Sequence, residues 1–197
     1  MMRWITVSLL LALAPATAAA QIATVEEIQA VGGPQAAREL GKKLAKGHEL
    51  YKAGNPQGAL DLYNEIKERL PGSAWIYFYI GTALRKLEQW EDSLAAFRTT
   101  ATIAGSKDID MRAKAMFNIA LTHEHRAGEE PGPTVHWKNA KAAWIEYLKL
   151  AEAHPDAIVF PDSARSRIKA IERRFELWEQ YRRVREEAEK RGKGGND

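Results

Sequence analysis

From residue 40 to residue 105 the apolar and small positions recur at helical intervals, and then the whole pattern repeats. Gly47 and Leu50 mark a first helix, and Ala59, Tyr63 and Ile66, at i, i+4 and i+7, mark a second. Thirty-four residues on, Gly81 stands for Gly47, Leu84 for Leu50, Lys86 for Lys52, Ser93 for Ala59, Leu94 for Leu60 and Phe97 for Tyr63, while the turn at Pro71 returns at Gly105. A helix pair has been copied. A third, longer copy follows: Ala143, Tyr147, Leu150 and Pro155 keep the spacing of Ala59, Tyr63, Ile66 and Pro71, and Met116, Ile119 and Ala120 supply its first-helix core. The predicted units are residues 40–73, 74–107 and 108–160, the last with an insertion at 126–137. So short a unit cannot bury its own apolar stripe, so the copies must stack into one elongated domain with a continuous core.

The punctuation agrees with this reading. Gly47 and Gly81 fall in helix interiors, where glycine costs about 1 kcal/mol against alanine, so a neighbouring helix must press too close for a Cβ. Tyr63, Phe97 and Tyr147 are then gap-filling core residues. Ser73 is the expected N-cap of the second unit, and Ser106 and Asp108 open the third. Upstream, residues 21–39 form an N-terminal helical segment, with a short helix from Thr24 to Ala30 ended by Gly32, Gly33 and Pro34. Downstream, residues 161–191 form one long helix with Pro161 in its first turn, Asp162 and Ser163 as cap candidates, and an apolar stripe of Ile168, Ile171, Phe175 and Trp178. That helix suits the polar-backed end of a stack, and it offers a surface for a homodimer. Past Tyr181 the stripe gives way to interleaved bases and acids, a solvated helix end, and residues 192–197 form a tail.

These marks resemble the tetratricopeptide repeat family, whose first helix carries a large residue, Leu-Gly and an aromatic, and whose second carries a small residue, an aromatic and a closing Pro. The second copy matches best, through Tyr77, Ile80, Gly81, Leu84, Ser93 and Phe97; the first departs from the pattern with Lys43 and Lys46 where bulky apolar residues are expected. The resemblance implies an all-α fold, a right-handed α-α superhelix of about three helix pairs with the long C-terminal helix as cap. It also implies a concave groove, lined by the first helix of each pair, that takes an extended or helical peptide. Carried onto this sequence, the groove comprises Leu44, His48, Tyr51 and Lys52 from the first unit, Trp75, Phe78, Thr82, Arg85 and Lys86 from the second, and Lys114, Phe117 and Leu121 from the third. Such a groove is aromatic with a basic rim, which favours a peptide bearing carboxylates. Some members of the family grip a C-terminal carboxylate with a Lys and an Asn one turn apart on the first groove helix; here those places hold Leu44 and His48, and the pair Lys114 and Asn118 stands on another unit.

The first twenty residues read differently. Arg3 gives a positive start, Trp4 to Leu13 an apolar run, and Ala18 and Ala20 an A-x-A site before Gln21, the pattern of a cleavable signal peptide at residues 1–20. Pro15 and small residues stop the run short of a membrane span, so no integral span is expected after cleavage. With no cysteine in the chain, the lipoprotein route is closed and disulfides are excluded. The expected location is periplasmic or secreted. A formal charge of +3 is no polycation, and without a basic stripe no nucleic-acid role is expected.

Candidate chemistry is sparse. His123 and His125 flank Glu124 but point to opposite sides of a helix, and no metal-binding, phosphate-loop or nucleophile motif is present. The expectation is therefore no catalytic residue, no cofactor and no metal, and a protein that is not an enzyme. Its expected partners are cell-envelope proteins held in the groove. The alternative is a cell-wall or glycan-processing protein whose third-unit insertion presents a site around Glu129, Glu130, His136 and Trp137.

Overall fold

The computed structural model describes residues 32–193; the expected signal peptide and the Thr24–Ala30 helix lie outside the described residues, as does the end of the tail. Seven helices follow one another, with no strand among the described residues: α1 (Pro34–Lys52), α2 (Pro56–Arg69), α3 (Ala74–Lys86), α4 (Trp90–Ala104), α5 (Ile109–Ala127), α6 (Val135–Ala153) and α7 (Pro161–Lys193). Each packs on the next, and α3 also touches α5. The fold is all-α, built from consecutive helix pairs. Helix α1 begins six residues before the expected unit boundary at 40, because Pro34 at the first turn is pre-set for helix.

The helix starts are locally encoded. Asn55 Oδ1 accepts from Gly58 N–H at 2.9 Å with Pro56 next to it, Asp108 Oδ1 accepts from Met111 N–H at 2.9 Å, and Thr134 Oγ1 accepts from Trp137 N–H. Asp108 alone caps α5, so Ser106 is not needed. Ser73 occupies the cap position of α3 in extended backbone but makes no capping bond; it is buried instead. Gly105 and Gly128 end α4 and α5 in the left-handed region that an L-residue avoids.

The packing behind the repeat is direct. A Cβ on Gly47 would meet the Tyr63 ring at 2.6 Å, and one on Gly81 would meet Phe97 at 2.9 Å. In the second unit the Ser93 hydroxyl also donates to the Gly81 carbonyl at 2.8 Å, tying α4 to α3. In the third unit the insertion is shorter than the predicted 126–137: only residues 128–134 are non-helical, and the rest of the extra chain lengthens α5 and α6 to 19 residues each. Trp144 then takes the place of Leu60 and Leu94, fully buried.

Most of the buried apolar residues gather in two clusters, and further buried ones, among them Leu94, Phe97, Met111 and Ala115, lie on the packed helices α4 and α5. Leu44, Tyr63, Ile66 and Ile76 centre the first, within α1–α4; Trp144, Tyr147, Leu150 and Ile171 centre the second, within α5–α7. Helix α7 docks through Ile168, Ile171 and Phe175 onto the second cluster. Arg167 pairs with Glu124 and Lys141 with Glu172, both at 2.8 Å. Beyond Tyr181 every described side chain of α7 is exposed, and Arg182 and Arg185 pair only with acids on their own helix. No helix among the described residues is long and apolar enough to cross a membrane.

Candidate functional site

The face shared by α1, α3 and α5 carries a row of half-buried rings. His48 on α1 lies edge-on to Tyr79 of α3 with centroids 4.4 Å apart, and to Tyr63 at 5.8 Å. Tyr79 stacks near Trp75 at 6.0 Å, Trp75 meets Phe78 edge-on at 6.2 Å, and Phe78 meets Phe97 at 5.6 Å. Helical spacing explains the row: Trp75, Phe78, Thr82 and Arg85 fall on the side of α3 opposite its buried Ile76, Ile80 and Leu84.

Two cations from neighbouring helices are held against this row. The Lys114 ammonium of α5 stands 4.7 Å over the Trp75 ring. Arg85 donates from Nη1 to Asn118 Oδ1 at 2.8 Å, and its guanidinium lies 5.7 Å from the Phe97 centroid. Asn118 in turn donates to the Lys114 carbonyl, which orients its amide. Burial draws the Arg85 guanidinium below its ordinary pKa, partly offset by nearby Tyr51, and it pushes the Tyr79 phenol up to about 12. Burial likewise lowers the His48 imidazole, helped by Lys52, so His48 is neutral at pH 7, with Nε2 buried and lacking a hydrogen-bond partner among the described residues.

Most of the residues chosen from sequence are thus brought onto one face. His48, Tyr51, Trp75, Phe78, Arg85 and Lys114 line it half-buried, and Lys52 and Lys86 stand exposed at the ends of α1 and α3. Leu44 does not belong there. It is 0% exposed in the first core cluster, since α1 turns that position inward with Leu40. Phe117 joins a different ring set, with Trp144 at 4.9 Å, Tyr147 at 5.3 Å and Phe160 at 6.2 Å, and Leu121 packs on the second cluster. The sequence reading missed Tyr79, which bridges α1 and α3, although its position one turn after Trp75 was a usable signal. It also missed Phe160, 58% exposed beside Phe117, because that residue stands in the turn before α7 and carries no helical spacing.

The third-unit turn is occupied by the C-terminal helix. A Cβ on Gly132 would fall 2.6 Å from the Trp178 ring, and Arg174 lies 4.6 Å over the Trp137 ring. Both Arg174 and the Trp137 indole N–H donate to the Glu130 carbonyl. Glu130 and His136 side chains approach to 3.9 Å, and Glu129 is exposed. Among the described residues no group of three or more His, Asp and Glu is placed to hold a metal ion.

Comparison with protein-family models, with curated proteins and with solved structures gives no match.

Proposed function

We propose that this chain is an exported adaptor of the tetratricopeptide type, which grips an acidic peptide or helix of a cell-envelope protein along the α1–α3–α5 face and performs no chemical step. Support comes from the repeated Gly47–Tyr63 and Gly81–Phe97 packing, which makes equivalent helix pairs, and from the signal-like first twenty residues. The observation that carries the reading is the Lys114 ammonium set over the half-exposed Trp75 ring, with Arg85 oriented by Asn118, one helix turn from Lys114 on α5. Rings supply contact area at low entropic cost, and pre-oriented cations reward a carboxylate-bearing segment.

A photoreactive residue at position 78, introduced in cells of the source organism, tests the proposal. The expected product is a defined crosslink to an envelope protein, mapped to a segment containing Asp or Glu, and lost in both Trp75→Ala and Arg85→Glu. A crosslink that persists in both variants overturns the proposed groove.

A further inference from the structure

On the other side of α5, away from the ring row, a cleft of about 410 Å³ opens between α4 and α6. Its floor is Met116 and Ile119, its α6 wall includes Ala143 and Asn139, and Arg98 reaches it from α4. Of the three matching positions, the second unit buries one that the third leaves half-exposed. Aligning Gly81 with Ala120 sets Tyr77, Ile80 and Leu84 against Met116, Ile119 and His123; Ile80 and Leu84 are buried, whereas Met116 and Ile119 are left half-exposed. A histidine stands where the copied pattern has leucine.

That histidine is anomalous. His123 is 8% exposed, yet its Nδ1 finds no hydrogen-bond partner among the described residues. The other buried polar side chains on these helices are satisfied: Ser93, Thr100 and Thr122 each donate to a backbone carbonyl. An unpaired buried polar atom is costly, and leucine would have avoided the cost. The charge around it is equally uncompensated. Arg98 and Arg126 both bear on His123; Arg126 is paired with Glu91, but the Arg98 guanidinium has neither an ion pair nor a hydrogen bond among the described residues. The acid that lines the cleft, Glu146, is paired with Lys149 at 2.7 Å. The antiparallel α5–α6 hairpin sets His123 beside Asn139, and Met116 toward Glu146, so the cleft has a cationic, hydrogen-bonding end and an apolar body.

We infer that this cleft binds a small monocarboxylate with an apolar chain, its carboxylate held by Arg98 and Asn139 next to His123 and its chain laid on Met116, Ile119 and Ala143. An unpaired guanidinium beside an apolar floor matches that chemistry better than it matches a cationic one. The site is separate from the ring row and does not depend on the adaptor reading.

The test uses the full chain with methyl-labelled methionine, titrated with octanoate and followed by NMR. The expected result is a saturable shift of the Met116 methyl with Met111, buried away from the cleft, unmoved. Octylamine should give no matching shift, and Arg98→Ala, an exposed position that leaves folding intact, should weaken octanoate at least about fivefold. A peptide ending in a leucine carboxylate separates the two sources of this chemistry: binding of octanoate with no binding of the peptide supports the free acid. No saturable Met116 shift, equal response to octanoate and octylamine, insensitivity to Arg98→Ala, or tighter binding of the peptide than of octanoate overturns the inference.

Discussion

A Cβ placed on Gly47 would lie 2.6 Å from Cε1 of Tyr63, inside the distance that real side-chain contacts reach. The Tyr63 ring is itself almost wholly buried and cannot swing away. In Gly47→Ala the helix gains up to about 1 kcal/mol of propensity but overpacks the core, so a net loss of about 1–2 kcal/mol is expected in urea unfolding. Adding Tyr63→Leu to Gly47→Ala should make the double variant more stable than the sum of the two single losses. Additive losses would show that the glycine serves something other than the ring.

Glu88 has a φ of 60°, the one non-glycine residue in the left-handed region among those described, and it falls 34 residues after Gly54, which has a φ of 81°. The turn is the same in both units, but only the first uses the residue that fits. Glu88 is exposed and its side chain makes no hydrogen bond or ion pair among the described residues, so Glu88→Gly should relieve strain and stabilise the protein by about 0.5–1 kcal/mol. Thermal unfolding of Glu88→Gly and Glu88→Ala checks this, since alanine shares the strain and should bring no gain.

Glu124 joins three elements. Its Oε1 accepts from the indole N–H of fully buried Trp144 and its Oε2 from Arg167 of α7, each at 2.8 Å. Glu124→Ala strands the indole N–H in the core and should cost about 2–3 kcal/mol, whereas Glu124→Gln keeps an acceptor and should cost about 1 kcal/mol. The measurement is denaturant unfolding of both variants, with hydrogen exchange along α7 expected to rise more in the alanine variant.

The His123 imidazole is held down to about 4 by burial first, then by Arg98, Arg126 and His136. The folded state therefore binds fewer protons than the unfolded state between pH 4 and 6.5. Stability is accordingly full above pH 6.5, falls as pH drops through that window, and levels off below it, with this residue accounting for up to about 3 kcal/mol. His48 and His125 are shifted the same way, so the contribution is isolated by comparing the wild type with His123→Leu. The difference between them should widen from pH 7 to pH 4; a constant difference would contradict the assignment.

The helix pairs were readable from sequence because their packing is short-range and repeated: Gly47 with Tyr63 and Gly81 with Phe97 are contacts between adjacent helices, written twice. The stripe Trp75, Phe78, Arg85 was readable for the same reason, since helical spacing assigns a face. What the spacing does not carry is which of two faces a neighbour covers. Leu44 was therefore placed on the open side, and Phe117 was grouped with rings that it does not touch. The docking of α7 was half legible. Its apolar stripe announced a buried side, but the seat for Trp178 is a bare glycine, Gly132, in an irregular turn that no period predicts. Spacing places His123 and His125 on different sides of α5, but the isolation of His123 depends on its burial, which spacing does not carry.

The joint between α4 and α5 has a consequence for how the molecule holds together. Helices α4 and α5 pack together there, each with buried apolar residues such as Leu94, Phe97, Met111 and Ala115, and polar contacts cross the same joint: Arg85 with Asn118, Lys114 with Trp75 and Arg126 with Glu91. Heat or pulling force must breach packed apolar residues there as well as these bridges, and two of the three bridges lie beside the ring row. Whatever clasps Trp75 and Lys114 together thereby adds a rivet across the joint between the second and third units.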